Sequence, residues 1–148
     1  MGKGRFFMKG RNLLVDWVPP LLWMGVIFYF STDRFSSEQT GSVLLRLIGW
    51  FWPGMPADSL AGIHFLLRKL GHLTEYAILA WLWMRALPAG GPRAWCVGLI
   101  VAGFASVDEW HQSLTLHRTG SPWDVLIDVM GGLIGMALWN LNAKRRQD

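Results

Sequence analysis

The stretch WDVLIDVMGGLIGMALWNL, Trp123 to Leu141, is apolar over the length that crosses a hydrocarbon core, yet opens with two acids four residues apart. Asp124 and Asp128 lie on one helix stripe that continues through Gly131 and Gly135. Glycine at this spacing lets a second helix approach closely, so the aspartates face protein and not lipid. Three further blocks of roughly 18 to 22 residues have the same apolar character, at Leu13–Phe30, Leu66–Leu87 and Trp95–Gln112. With 52% hydrophobic and 16% charged residues and ten tryptophans in 148 residues, this is a membrane composition. The expected fold is all-α: a single polytopic membrane domain over residues 1–148, built as a bundle of four transmembrane helices.

The distribution of basic residues orients the bundle. Lys3, Arg5, Lys9, Arg11, Arg85, Arg93, Lys144, Arg145 and Arg146 fall on one side, against Arg34, Arg46, Arg68, Lys69 and Arg118 on the other. The excess marks the cytoplasmic face, so both termini are expected there. The net charge of +4 does not point to nucleic acid, because the basic residues flank the apolar blocks instead of forming a patch among aromatics. Cys96, the single cysteine, excludes an intrachain disulfide and reads as a small hydrophobe. The basic start followed by an apolar run looks like a signal sequence, but no small-x-small site follows Phe30, and a retained first helix is expected.

Pro19 and Pro20 are expected to kink or begin that helix. In the first outer loop, Ser36-Ser37-Glu38 reads as a cap, and Val43, Leu44, Leu47, Trp50 and Phe51 follow at helical spacing. A short interfacial helix is expected there, ended by Pro53-Gly54-Met55-Pro56. Asp58 or Ser59 can cap the next helix, whose reach to Leu87 makes its first turns protrude or break. Pro88 to Pro92 forms a tight cytoplasmic turn, and Ser113–Ser121 the outer one. Short connections make antiparallel neighbours.

Ionisable residues in such helices are expensive and call for a partner or a purpose. Arg68, His72 and Glu75 form one stripe, with Tyr76 beside it; Asp108, His111 and Gln112 share a face at the end of the third block, next to Glu109; Asp124 and Asp128 open the fourth. By helix rise all lie within about 10 Å of the outer boundary. His117 and Arg118 in the outer loop hang over the same level.

These residues carry a resemblance. Phe28-Tyr29-Phe30-Ser31, Arg68-Lys69-x-x-His72-x-x-x-Tyr76-x-x-Leu79, Asp108-Glu109-x-His111-Gln112, and Arg118 followed by Asp124-x-x-x-Asp128-x-x-Gly131 together resemble the VanZ-like family of bacterial membrane proteins, over nearly the whole chain. The resemblance implies an envelope protein linked to susceptibility to the glycopeptide teicoplanin. The family pattern has Asn where this chain has Asp128.

Three classes of function fit this constellation. The acids Glu75, Asp108, Glu109, Asp124 and Asp128 outnumber the nearby bases Arg68 and Arg118, leaving charge for protons, a cation or a ligand to neutralise. A metal-dependent hydrolase would take its divalent ion from among His72, Asp108, His111, Asp124 and Asp128. Glu75 or Glu109 would then serve as general acid/base, and Arg68, Tyr76, Gln112 and Arg118 would bind a lipid-linked cell-wall precursor or a glycopeptide. No HExxH or other established ligand spacing is present. A binding protein without turnover would hold an amphiphile against Trp50, Phe51, Trp52 and Trp110, although interfacial tryptophans ordinarily form a belt. A structural network would use the same groups only to fix helix register. His64 reads as interfacial, Lys144-Arg145-Arg146 as a topology anchor at anionic lipid, and no inverted repeat suggests a transporter.

Overall fold

A computed structural model describes residues 13–32, 46–115 and 120–146, and every regular element among them is helical. Four long helices follow in order: α1, Leu13–Phe30; α2, Ala57–Ala86; α3, Arg93–Ser113; and α4, Pro122–Arg145. A short helical stretch at 46–51 falls where the interfacial helix is expected, while the Ser36 to Leu44 part of that expectation lies outside the described residues.

Both prolines sit inside α1, which starts six residues before Pro19 instead of at it. Proline has no N–H for the carbonyl four residues back, so Pro19 orphans the carbonyl of Val15. Arg85, from the last turn of α2, donates Nη2 to that oxygen at 3.0 Å. A second cross-link ties the same pair of helices, from Trp23 Nε1 to the Glu75 carbonyl at 2.9 Å.

α2 runs unbroken for 30 residues, about 45 Å at the standard rise, so its first turns do not break from the rest. Neither Asp58 nor Ser59 caps it. Pro56 occupies the N-cap with φ −59° and ψ 143°, and no side chain bonds the first turn there. The fixed proline φ starts the helix early enough to leave Asp58 inside it, as an acid favourably placed in the first turn.

The α2–α3 turn needs glycine. Gly90 and Gly91 have φ of +99° and +52°, in the left-handed region. α2 is the hub of the fold: it packs against α1, α3 and above all α4, and α3 also packs on α4. The α2–α4 contact is a backbone approach, since a Cβ at Gly131 or Gly135 would collide with the carbonyl oxygens of Leu73 and Ala77. Gly132 faces Val101 of α3 in the same way, where a Cβ would sit 2.7 Å from its Cγ1.

The interior is layered. Tyr76, Leu79, Ala80, Trp83 and Met84 of α2 meet Ile27 of α1 and Val97, Val101 and Ala105 of α3 in an apolar core. Beyond Tyr76, towards the α3–α4 turn, every buried side chain among the described residues is polar: Ser31, His72, Asp108, Glu109, Gln112, Asp124 and Asp128. The outside is apolar, with Trp50, Trp95 and Trp123 exposed at 81%, 79% and 74% and leucines spread over all four helices. By length and mean hydropathy, one helix among the described residues, α4, suffices to cross a membrane, and α1 is apolar but shorter. α2 and α3 carry Arg68, Lys69, His72, Glu75, Asp108, Glu109 and His111 within their length, which lowers their mean hydropathy.

Candidate functional site

Local sequence sets the end of α3 against the start of α4. Ser121 is the N-cap of α4, its hydroxyl accepting from Trp123 N–H, and Pro122 follows in the first helical turn. Gly120 lets the turn lie on the backbone of α3, because a Cβ there would collide with the Glu109 carbonyl. The Ser121 N–H is thereby brought to Glu109 Oε2 at 2.8 Å.

Gln112, fully buried, joins three helices. Its Nε2 donates to Ser31 Oγ at 3.3 Å and to Asp108 Oδ2 at 3.2 Å, while its Oε1 accepts from Arg68 Nη2 at 3.2 Å. Arg68 Nη2 also stands 4.0 Å from Asp124 Oδ2, and Lys69 is ion-paired with Asp124 Oδ1. Lys69 further lies over the Phe65 ring, 5.0 Å from its centroid. One turn deeper, His72 Nδ1 and Asp128 Oδ1 share a hydrogen bond of 3.1 Å.

The tightest grouping of potential ligands among the described residues is His72, Asp108 and Glu109, whose ligand atoms all lie within 4.8 Å of one another. All three are buried. Several buried oxygens in this layer have no hydrogen-bond partner: Asp108 Oδ1, Glu109 Oε1, Asp128 Oδ2 and Tyr76 Oη. Buried polar atoms are normally satisfied, so a convergence of orphaned carboxylate oxygens asks for a ligand or a function.

Residues 17–143 match the VanZ/LLP1 family. The chain belongs to the VanZ/LLP1 family. No curated protein and no solved structure matches it. The family match runs from Trp17 in α1 to Ala143 in α4 and so takes in every buried polar residue named above. Family and apolar α4 both point to a membrane protein.

Within this VanZ/LLP1 chain, the predicted site residues divide into places. His72 and Asp108 join Glu109, and Asp128 stands behind His72; Asp124 is held apart by Lys69 and Arg68. His111 turns to α1, where its ring meets Phe28 at 4.2 Å between centroids, and its buried Nδ1 has no hydrogen-bond partner. Glu75 is half-buried on α2 and outside the tight group, and Tyr76 is fully buried beside Phe104. Arg118 and His117 lie outside the described residues.

Lys69, Ser31 and Ser121 take part without having been singled out as site residues. Lys69 enters the sequence reading as a flanking charge and as a motif position, and it stands three residues before His72 on one side of the helix. Ser31 was visible only as the last residue of a motif. The Ser121 contribution is a backbone N–H, for which a side-chain reading has no signal beyond the Ser121-Pro122 start of a helix.

Proposed function

We propose that this VanZ/LLP1-family chain is a four-span protein of the bacterial cytoplasmic membrane, both termini cytoplasmic, whose polar layer lies just inside the outer boundary. That layer binds or processes an envelope amphiphile, a lipid-linked or cell-wall precursor, and so alters glycopeptide susceptibility. The observation that carries the reading is the inverted burial: carboxylates and an imidazole inside with unpartnered oxygens, tryptophan and leucine outside. A soluble bundle would waste its apolar surface and suffer the cost of its buried acids, whereas lipid accepts the first and a ligand site explains the second.

Arg68 and Lys69 remain 24% and 18% exposed at the rim of the layer, where a headgroup anion can reach them, and Trp110 and Trp123 stand exposed at the same end of the bundle. Glu109, held by one oxygen and orphaned at the other, is the better placed of the two candidate acid/base groups.

His72→Ala, Glu75→Gln and Asp108→Asn are expected to abolish the susceptibility phenotype while protein level and Tm hold. The pairs His72–Asp128 and Lys69–Asp124 favour a second, purely structural reading, under which breaking a buried pair costs about 3–5 kcal/mol and activity falls together with abundance. Normal susceptibility and normal expression in all three variants overturn both readings.

A further inference from the structure

We propose that His72, Asp108 and Glu109 form a site for a first-row divalent cation, manganese or zinc, and that Asp128 is the carboxylate that orients its imidazole. The proposal deepens the reading above by giving the same layer a resident ion, with Glu109 as a ligand and the acid/base role passing to Glu75, and it stands on three features: convergence, support and charge.

The first is convergence. Donors that share one ion at roughly 2.0–2.2 Å stand about 3–4 Å apart. The ligand atoms of His72, Asp108 and Glu109 already lie within 4.8 Å of one another, on side chains from two helices that pack together.

The second is that each carboxylate is anchored by one oxygen and free at the other. Asp108 accepts from Gln112 through Oδ2, and its buried Oδ1 has no partner; Glu109 accepts from the Ser121 N–H through Oε2, and its buried Oε1 has none. His72 is also held from behind, its Nδ1 sharing a hydrogen bond with Asp128 Oδ1. Ligands held from behind by hydrogen bonds while one atom points inward are the ordinary form of a metal site's support.

The third is charge. Asp124 is compensated by Lys69 and Arg68, but Asp108 and Glu109 have no ion pair among the described residues. With Asp128, whose partner His72 is neutral as a ligand, they make three buried carboxylates in a low-dielectric layer, and one divalent ion offsets two of those charges. An imidazole beside two carboxylates suits manganese or zinc better than magnesium or calcium, which take oxygen ligands alone.

The full-length protein, purified in detergent and stripped with a chelator, should bind about one manganese or zinc ion per chain in equilibrium dialysis with elemental analysis. Saturation at a hundredfold excess over Kd should raise its Tm by about 5–10 °C. His72→Ala, Asp108→Asn and Glu109→Gln should each weaken binding more than a hundredfold, and Asp128→Asn about 10- to 100-fold. Asp58→Asn, on an exposed first turn of α2, should leave it unchanged. No saturable ion in the wild-type protein, or equal binding by all three ligand variants, overturns the site. If those variants fail to fold, X-ray absorption of the metal-loaded wild type decides: one nitrogen with carboxylate oxygens supports the assignment, while a sulfur ligand or more than one imidazole overturns it. An ion-free wild type whose His72→Ala variant still loses the phenotype at normal abundance refutes the metal and leaves the ligand-site reading intact.

Discussion

Gln112 has its amide oxygen under Arg68 and its amide nitrogen on Asp108 and Ser31, so one side chain answers to three helices. Gln112→Leu keeps comparable volume but strands a guanidinium and a carboxylate, which should cost about 1–3 kcal/mol and lower Tm by roughly 3–10 °C. Gln112→Glu restores the Arg68 contact but sets an acid against Asp108, so differential scanning fluorimetry should find it at least as damaging; a neutral result would show that the bonds to Asp108 and Ser31 contribute nothing. Asp128 poses the complementary question. Asparagine retains an oxygen for His72 Nδ1 and removes a buried charge whose second oxygen is orphaned. Asp128→Asn is therefore expected to hold or raise the Tm, whereas Asp128→Leu, which leaves His72 unpartnered, should lower it.

Helix α2 meets α4 through backbone contact at Gly131 and Gly135, and this dictates what each glycine tolerates. Gly135→Val should destabilise by about 3 kcal/mol or more, because a helical carbonyl cannot move aside as a side chain can, and membrane abundance should fall with it. Gly103 on α3 has open space where its Cβ would stand, so Gly103→Ala should be neutral or stabilise by about 0.5–1 kcal/mol through helix propensity. Equal losses in the two variants would sink the close-approach argument. The α1–α2 contact can be dissected in the same way. Arg85→Ala should cost about 1 kcal/mol by exposing the Val15 carbonyl. Part of that loss should disappear in a Pro19→Ala background, where a restored backbone N–H reclaims the oxygen, and a double-mutant cycle with no coupling would contradict the assignment.

Taken as a whole, the described molecule has its polar layer at one end and Arg85, Arg93, Lys144 and Arg145 at the other, with an apolar surface between them. In a Cys96→Ala background, cysteines at Ser36 and Thr119 are expected to react with a membrane-impermeant thiol reagent in intact cells, and one at Gln147 to be protected. The background matters because Cys96 is exposed on the surface of α3. Labelling confined to Gln147 would reverse the orientation and place the polar layer on the cytoplasmic side, removing an extracellular precursor from consideration.

How much of this was legible in the chain varies with the kind of interaction. Helices, turns and the Gly131–Gly135 face were readable from residue order, because hydropathy, the left-handed demand of Gly90-Gly91 and the 3.6-residue period are local properties. That His72, Asp108 and Asp124 fall at one end of the bundle is legible too, since helix rise and short connections determine it. The first helix spans Leu13–Phe30, as its apolar block does, with Pro19 tolerated inside because Arg85, remote in sequence, takes the abandoned carbonyl, whereas α2 starts a residue or two earlier than a cap at Asp58 or Ser59 implies, because Pro56 takes the N-cap. Which acid belongs to which partner was decided only by tertiary structure. Asp124 went to Lys69, Asp128 to His72, and Glu109 to the Ser121 N–H and the His72–Asp108 group. A period says which residues share a face, but the rotation and relative height at which two faces dock follow from backbone contact at glycine, and a shift of one residue there would exchange every partner in the layer.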